Sequence, residues 1–410
     1  MGETAIHSVL VVGIDVVPIA VSAKNAGYEV YAADYFGDQD LQLVCRESHS
    51  ILHQKKGKTC GRLSKDFNAE KLLQLAKSLI KRNPIDAALL ASGLEDHPEI
   101  LSELHRMVPI VGNRPDIIRR VRDKTKFFNE LARLGVPHPE TATVEGLKEA
   151  KKEARDIGYP VMVKPSRGFG GTGVRKAQNS NELKEVFQEV SLLDEEVLIQ
   201  EYISGTPASA SLVSSTNEAV ILTLNEQLLG MSELGQRAPF GYCGNIVPLL
   251  ADKKVKDKCE RITEKTVTHF SLVGSNGVDL VISKEGTPYV VEVNPRFQGT
   301  LECVERVSNL NLVEAHVNAC VHGVLPKKMK KNSFFCTRLV LFATSRSAIS
   351  DLSGFEAVKD VPFPGVIIEG GEPLCSIVAD GENRASSLKN AKRIAESVYE
   401  TLHSTPNSKS

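Results

Sequence analysis

Tryptophan is absent from the chain, and the eight cysteines (Cys45, Cys60, Cys243, Cys259, Cys303, Cys320, Cys336 and Cys375) include no C-x-x-C pair. Thiols scattered in this way, several of them inside apolar periodic segments, read as buried free cysteines and not as disulfides or zinc ligands. The ten histidines show no H-E-x-x-H or similar spacing, so no structural transition metal is expected. An excess of charge is missing as well: 50 basic residues meet 51 acidic ones, for a formal net charge of -1. That balance supplies no field to draw nucleic acid or an anionic membrane, and it points to small-molecule partners. No apolar run reaches the roughly 18 residues that cross a bilayer. The N-terminus also lacks a basic region followed by an apolar stretch and a cleavage site, which makes the cytoplasm the expected location.

What is present is the composition of a folded protein, and 410 residues exceed what one hydrophobic core usually supports, so two to three packed units are expected. Residues 8–12, Gly13, a helical stretch to Gly27 and residues 28–33 ending in Asp34 read as strand, helix, strand, the start of a parallel α/β unit. A helical pattern at 71–81 and short apolar strands at 87–91 and 109–111 extend it, so residues 1–115 are expected to form an open parallel-sheet domain. The run Gly13-Ile14-Asp15-Val16-Val17-Pro18 is not G-x-G-x-x-G, with Pro18 where the third glycine belongs. It reads as an architectural turn or a substrate-facing loop, and Asp34 as a turn or substrate residue. Residues 116–134 form one strongly helical segment closed by Gly135 and Pro137. A small α+β lobe follows, then alternating strands and helices to 325, a basic polar connector at 326–333, short strands, a helix from 385 to about 402, and a polar tail.

The most informative stretch runs from Gly158 to Val174. A strand delivers Lys164, and Gly168, Gly170, Gly171 and Gly173 follow at once. A backbone so rich in glycine exposes N–H groups and tolerates positive φ, so it can fold over phosphate oxygens while the lysine neutralises them. The spacing is not that of the Walker loop, and a flexible hairpin with a surface lysine is the plain alternative.

A second constellation lies in Val278-Asp279-Leu280 and Val290-Val291-Glu292-Val293-Asn294-Pro295-Arg296. Lys284-Glu285-Gly286 between them is a hairpin turn, which makes the two strands antiparallel neighbours and brings Asp279 close to Glu292. With period two, Glu292, Asn294 and Arg296 share one face, and Val291, Val293 and Pro295 the other. Two carboxylates and an amide oxygen suit Mg²⁺, or Mn²⁺, and Arg296 beside them suits an anion held against that metal. The plain alternative is a solvated strand face with ion pairs.

Lys124 in Asp123-Lys124-Thr125-Lys126-Phe127-Phe128, the Lys164 loop, Gln200-Glu201-Tyr202-Ile203-Ser204-Gly205, Asp279 and Glu292-Val293-Asn294-Pro295-Arg296 follow the order and spacing of the ATP-grasp superfamily, which residues 116–320 resemble. The chain as a whole is most similar to the ligase branch that includes biotin carboxylase and the large subunit of carbamoyl-phosphate synthase. The fold this resemblance implies mixes α/β and α+β architecture. It has an N-terminal open parallel-sheet domain (1–115), an ATP-grasp domain (116–325, lid lobe about 145–205), a small β-rich C-terminal closing subdomain (326–403) and a tail (404–410). By the same resemblance Lys124 and Lys164 contact ATP phosphates from two sides, the glycine loop closes as a lid, and Glu201, Tyr202 and Ile203 read the adenine edge. Asp279, Glu292 and Asn294 then ligate magnesium, and Arg296 stabilises the transferred phosphate.

The implied chemistry is ATP-dependent activation of a carboxylate as an acyl phosphate, followed by attack of an amine, thiol or other nucleophile. The alternatives are a bicarbonate-activating carboxylase and an ATP-binding regulatory module without turnover. Biotin carboxylases carry R-x-Q-V-E-H after the metal strand, whereas this chain has Arg296-Phe297-Gln298-Gly299-Thr300-Leu301, which lacks the acid that serves as base for bicarbonate. Each motif occurs once, unlike the doubled halves of carbamoyl-phosphate synthase. Arg237, among glycines and aromatics in residues 235–245, is the candidate for gripping a substrate carboxylate, with a plain structural loop as the equal alternative. A homodimer is compatible with the resemblance. The glycine loop is expected to order over nucleotide, so amides from Ser166 to Val174 should gain hydrogen-exchange protection with a non-hydrolysable ATP analogue and magnesium, while Leu10 to Val12 do not change. Full protection of that loop before nucleotide is added would refute a lid that orders on binding.

Overall fold

The computed structural model describes residues 6–168, 170–327 and 333–404. Phe169 of the glycine loop, residues 328–332 of the polar connector and residues 405–410 of the tail lie outside the described residues. The N-terminal region is the expected parallel sheet, with strand order Glu47–Ser50, Glu29–Asp34, Ser8–Gly13, Ala87–Leu90. Every residue of Ser8–Gly13 is buried, as a central parallel strand covered on both faces requires. The helix Val17–Asn25 packs on one face with residues of Leu312–His322, and Ala69–Arg82 and Pro98–Met107 pack on the other. Glu47–Ser50 was not foreseen, since its half-buried sequence ESHS has no apolar signal. Residues 109–111 contribute only a bridge, Ala88 to Ile110, in place of a strand.

An eight-stranded antiparallel sheet forms the centre of the molecule, in the order Pro288–Asn294, Gly274–Ser283, Gly205–Ser214, Ala219–Leu229, Tyr242–Val247, Phe335–Phe342, Pro373–Gly381, Val358–Lys359. Its strands come from both sides of residue 325, because Tyr242–Val247 pairs with Phe335–Phe342 without a break in the ladder. The expected hairpin is present, with Asp279 opposite Glu292. A bulge next to that pair changes the faces, however. Val290 and Val293, three residues apart, are both fully buried, while Val291 is left half-exposed. The expected alternation that put Val291 with Val293 therefore fails at one residue, and Glu292 and Asn294 stay on the open face. A separate four-stranded sheet, Thr141–Val144, Val197–Glu201, Val161–Pro165, Arg175–Ala177, carries the lysine strand and the glycine loop.

The single helix expected over 116–134 is two. Pro115–Arg122 ends at Asp123, whose extended ψ of 95° breaks the ladder and whose side chain caps Lys126 N–H at 3.0 Å at the start of Lys124–Leu134. Apolar periodicity runs through such a break and carries no mark of it. Among the described residues no helix is long and apolar enough to cross a membrane.

The parallel sheet is joined to the central one through buried polar groups. Asn113 donates to Asn276 Oδ1 (2.6 Å) and Pro295 O (3.1 Å) and accepts from Val273 N–H (2.9 Å). Beside it, His316 Nδ1 accepts from Ser275 N–H (2.7 Å) and Nε2 lies 2.9 Å from Val111 O. Gly274, at φ +73°, leaves room for that ring, since a Cβ there would fall 2.4 Å from Nδ1. A second ring proton would point at the Ser275 N–H. Burial pushes the imidazole down to about 4 despite the bond to Val111. The folded protein thus refuses a proton that the unfolded chain accepts below about 6.5, so stability should fall as pH drops from 6.5 to 4, by about 3 kcal/mol in all. Urea midpoints across that range should show this slope in the wild type and not in His316→Gln, and equal slopes would refute it.

Candidate active site

The break at Asp123 sets two cations side by side. Arg122, the last residue of one helix, and Lys124, the first of the next, both donate to Glu292 Oε1, at 2.5 and 2.6 Å. Arg122 also grips Asp96 with two bonds of 2.7 and 2.9 Å, the planar fork that a guanidinium offers a carboxylate. Burial by itself would raise the Glu292 pKa, but the charges of Lys124 and Arg122 overcome it and hold the carboxyl down at about 2. Asp279, across the strand pair, behaves in the opposite way. Burial and the neighbouring Glu292 charge push it up to about 6, although Asn294 Nδ2 (3.0 Å) and Gln227 Nε2 (2.8 Å) donate to it.

Lys164 leaves its strand toward the same place. Its ammonium donates to Gln200 Oε1 at 2.6 Å, and Gln200 in turn donates to Thr141 Oγ1 at 2.8 Å. Burial lowers Lys164 to about 8, with Glu292 and Asp279 opposing that fall and Lys124 adding to it. Glu201, beside Gln200, ends the strand Val197–Glu201 and is tied to Glu140 by a backbone pair (2.8 Å) and by a bond to its carboxylate (3.2 Å). Lys176 Nζ sits 4.6 Å over the Tyr202 ring, and Ile203 is half-buried next to it.

The glycine loop is tied at described points to both neighbouring walls. Gly168 N–H donates to Asp96 Oδ2 (3.1 Å), and Gly170 O accepts from Tyr242 N–H (2.9 Å). Gly171, at φ +74°, touches the 235–245 segment so closely that a Cβ would fall 2.2 Å from Phe240 O, so only glycine fits there. Arg296 donates to Glu95 and, at 2.8 Å, to Phe297 O. Arg237 is not brought to this cluster. Its exposed guanidinium lies against Gly370 and Gly371 and reaches Thr344 O at 3.4 Å.

The structure therefore brings Lys124, Lys164, Asp279, Glu292 and Asn294 together, with Arg296 facing them from its seat on Glu95. It adds Arg122, Glu95, Asp96, Gln200 and Gln227, which sequence reasoning missed. Glu95 and Asp96 follow the strand Ala87–Leu90 at its carboxyl end, where open parallel sheets bind ligands, and that position was a usable signal. Arg122 had none, since Arg119, Arg120 and Arg122 together look like a solvated helix face.

Residues 121–300 match the family model described as the ATP-grasp domain. The chain carries an ATP-grasp domain. Over 393 residues it is 28% identical to an uncharacterized protein of Methanocaldococcus jannaschii, covering 95% of this chain and 91% of that protein. Biotin carboxylase of Campylobacter jejuni, solved as a β,γ-ATP complex, has a similar fold, with TM-score 0.75 over 97% of this chain and 92% of the other, at 18% identity. L-amino acid ligase of Bacillus licheniformis is similar over 99% and 100%, with TM-score 0.72 and 14% identity. The carbamoyl phosphate synthase large chain of Pyrococcus furiosus is 31% identical over 222 residues, and the chain spans 20% of that protein's length and 53% of its own.

In this ATP-grasp domain Glu292→Gln would leave Arg122 with Asp96 and let Lys124 shed its proton, so the fold should survive with a loss of about 3 kcal/mol. Magnesium-dependent ATP binding should weaken about 100-fold. Calorimetric titration with ATP at low and high magnesium checks this. Unchanged affinity at low magnesium would remove Glu292 from the site.

Proposed function

We propose that the protein is an ADP-forming ligase that activates a carboxylate as an acyl phosphate with Mg-ATP and couples it to an amine or other nucleophile. The observation that carries this reading is the cross-strand pair Asp279 and Glu292 set beside Lys124 and Lys164. The donor set fits Mg²⁺. Two carboxylates stand side by side, and the pKa of Asp279, raised by burial and by Glu292, marks a shortage of positive charge on its side. Mg²⁺ takes one or two carboxylates and fills its other positions with water and phosphate. Asp279 and Glu292 would hold it, with the free amide oxygen of Asn294 beside them, and it would neutralise charge on the transferring phosphoryl group.

The chain's own residues supply positioning. Lys124 and Lys164 would grip the phosphates from two sides, and the N–H groups of Gly168, Gly170, Gly171 and Gly173 would cover them. Glu201, with the backbone through Tyr202 and Ile203, would read the adenine edge. Arg296, oriented by Glu95, would hold the phosphoryl oxygens during in-line transfer to the carboxylate. No side-chain nucleophile enters this scheme.

Carboxylation is the second reading, favoured by the whole-length likeness to a biotin carboxylase. Against it stands Thr300, at the position of the glutamate base in R-x-Q-V-E-H. It is buried, its hydroxyl lies 3.0 Å from Ser211 Oγ, and it offers no base. The test is release of ADP and phosphate from Mg-ATP by the purified protein across a panel of metabolic carboxylates with and without amines. Release that depends on an added carboxylate is expected. Stimulation by bicarbonate alone would select the carboxylase, and release indifferent to every carboxylate would defeat both readings.

A further inference from the structure

A buried group of acids lies where the parallel sheet meets the C-terminal strands. Asp15 and Asp34 follow adjacent parallel strands at their carboxyl ends, Gly13 being the register partner of Asp34. Arg338, on Phe335–Phe342 and 2% exposed, reaches across to them. Its Nη1 donates to Asp15 Oδ2 (3.0 Å) and Gly299 O (2.6 Å), and its Nη2 donates to Asp360 Oδ2 (3.0 Å), Ser376 Oγ (2.9 Å) and Asp15 Oδ1 (3.4 Å). One guanidinium thus serves two carboxylates directly, and it also lies in the field of Glu302. Asp38 and Asp34 stand behind them, each close enough to another acid of the group to raise its pKa. Lys359 and Arg306 reach the fringe of the group through Glu302. Burial and the neighbouring acids push Asp34 up to about 7 and Asp360 up to about 8, so the wall holds more carboxyl groups than its cations can keep ionised.

Asp34 is the telling member. It is 1% exposed, and Oδ2 accepts from Gly37 N–H at 2.6 Å. Oδ1 has no partner among the described residues. A buried carboxylate oxygen left bare costs free energy unless a ligand completes it. Asp15 lies within its electrostatic reach and is one-third exposed, so the group opens toward solvent on that side. The wall also connects to the glycine loop through Tyr242, whose N–H donates to Gly170 O (2.9 Å) and whose hydroxyl lies with Asp15 Oδ2 around Gly299. Arg338 already occupies the Asp15 and Asp360 oxygens that face it. What fits is an organic cation, whose N–H donors take carboxylates one at a time.

We infer that Asp15 and Asp34, backed by Asp360, form an acceptor subsite for a substrate bearing a primary ammonium group, an amino acid or a polyamine. The inference deepens the ligase reading and rests on it only for what becomes of the amine once bound. An ammonium donor satisfies the bare Asp34 oxygen, and its charge favours the ionised form of the acids around it.

The test is binding to the full chain with MgADP present, read by calorimetry. The probes are the common amino acids, putrescine and spermidine, each paired with its hydroxyl counterpart, as alanine with lactate. At least one ammonium probe should bind about tenfold or more tighter than its partner, the size of one hydrogen bond to a charged group. Asp15→Asn should lose that preference and Asp15→Glu keep it, with melting temperature confirming that both are folded. Asp34→Asn, which keeps an oxygen to accept from Gly37 N–H and so should fold, serves as a second variant expected to lose it. If no ammonium compound is preferred, or if Asp15→Asn and Asp34→Asn both retain the preference, the inference is overturned. ADP release on amine-free carboxylates without any such preference would leave the ligase reading standing and overturn this one. Preference without ADP release would do the reverse.

Discussion

Glu292 is half-buried, charged and shared, and the surrounding architecture follows from keeping it so. An ionised carboxylate taken out of water must be compensated at short range, and here one oxygen receives both Arg122 and Lys124. Both cations can reach it because Asp123 breaks the helix between them. The break is therefore a local device with an electrostatic consequence: it turns consecutive helical positions into two donors aimed at one acceptor. Asp279 is left without a cation of its own, and the difference between the two acids, one depressed to about 2 and one raised to about 6, defines a site with room for further positive charge.

The same cluster fastens three sheets together. Asp96 and Glu95 come from the parallel sheet, Glu292 and Arg296 from the central one, and Lys164 and Gly168 from the lysine-strand lobe. A ligand bound there would touch all three. Polar joints elsewhere, such as Asn113 against Asn276 and His316 between Val111 and Ser275, hold the parallel and central sheets in register around it. These joints are fully satisfied and buried, so they specify geometry while adding modest net stability. Arg338 bridges from the C-terminal strands to Asp15 and Asp360, although its Nε has no partner among the described residues.

The expected chemistry asks little of side-chain reactivity. Phosphoryl transfer is governed by positioning and charge neutralisation, and the groups gathered here are cations, carboxylates and glycine N–H donors. Thr300 illustrates the point, since a buried hydroxyl bonded to Ser211 stands where a base would be needed for bicarbonate.

Much of this was legible without coordinates. Alternating apolar strands and helices announced the parallel sheet, and the turn at Lys284-Glu285-Gly286 paired Asp279 with Glu292, because hairpin turns and side-chain periods are local properties of the chain. Local signals also misled where tertiary contacts override them. The bulge beside Asp279 exchanged Val290 for Val291 in the core, and capping by Asp123 divided a helix whose apolar period was unbroken. The seat of Arg237 against Gly370 and Thr344 is set by the C-terminal strands and is not written in the loop around it. Arg122, Glu95, Asp96, Asp15 and Arg338 carried no motif, since ion pairs between residues up to 323 apart leave no periodic trace. The sequence by itself determined which elements form and which motif residues meet across one turn. Only the tertiary structure decided which charges share a buried space, because that depends on how separate sheets close over a common low-dielectric cleft.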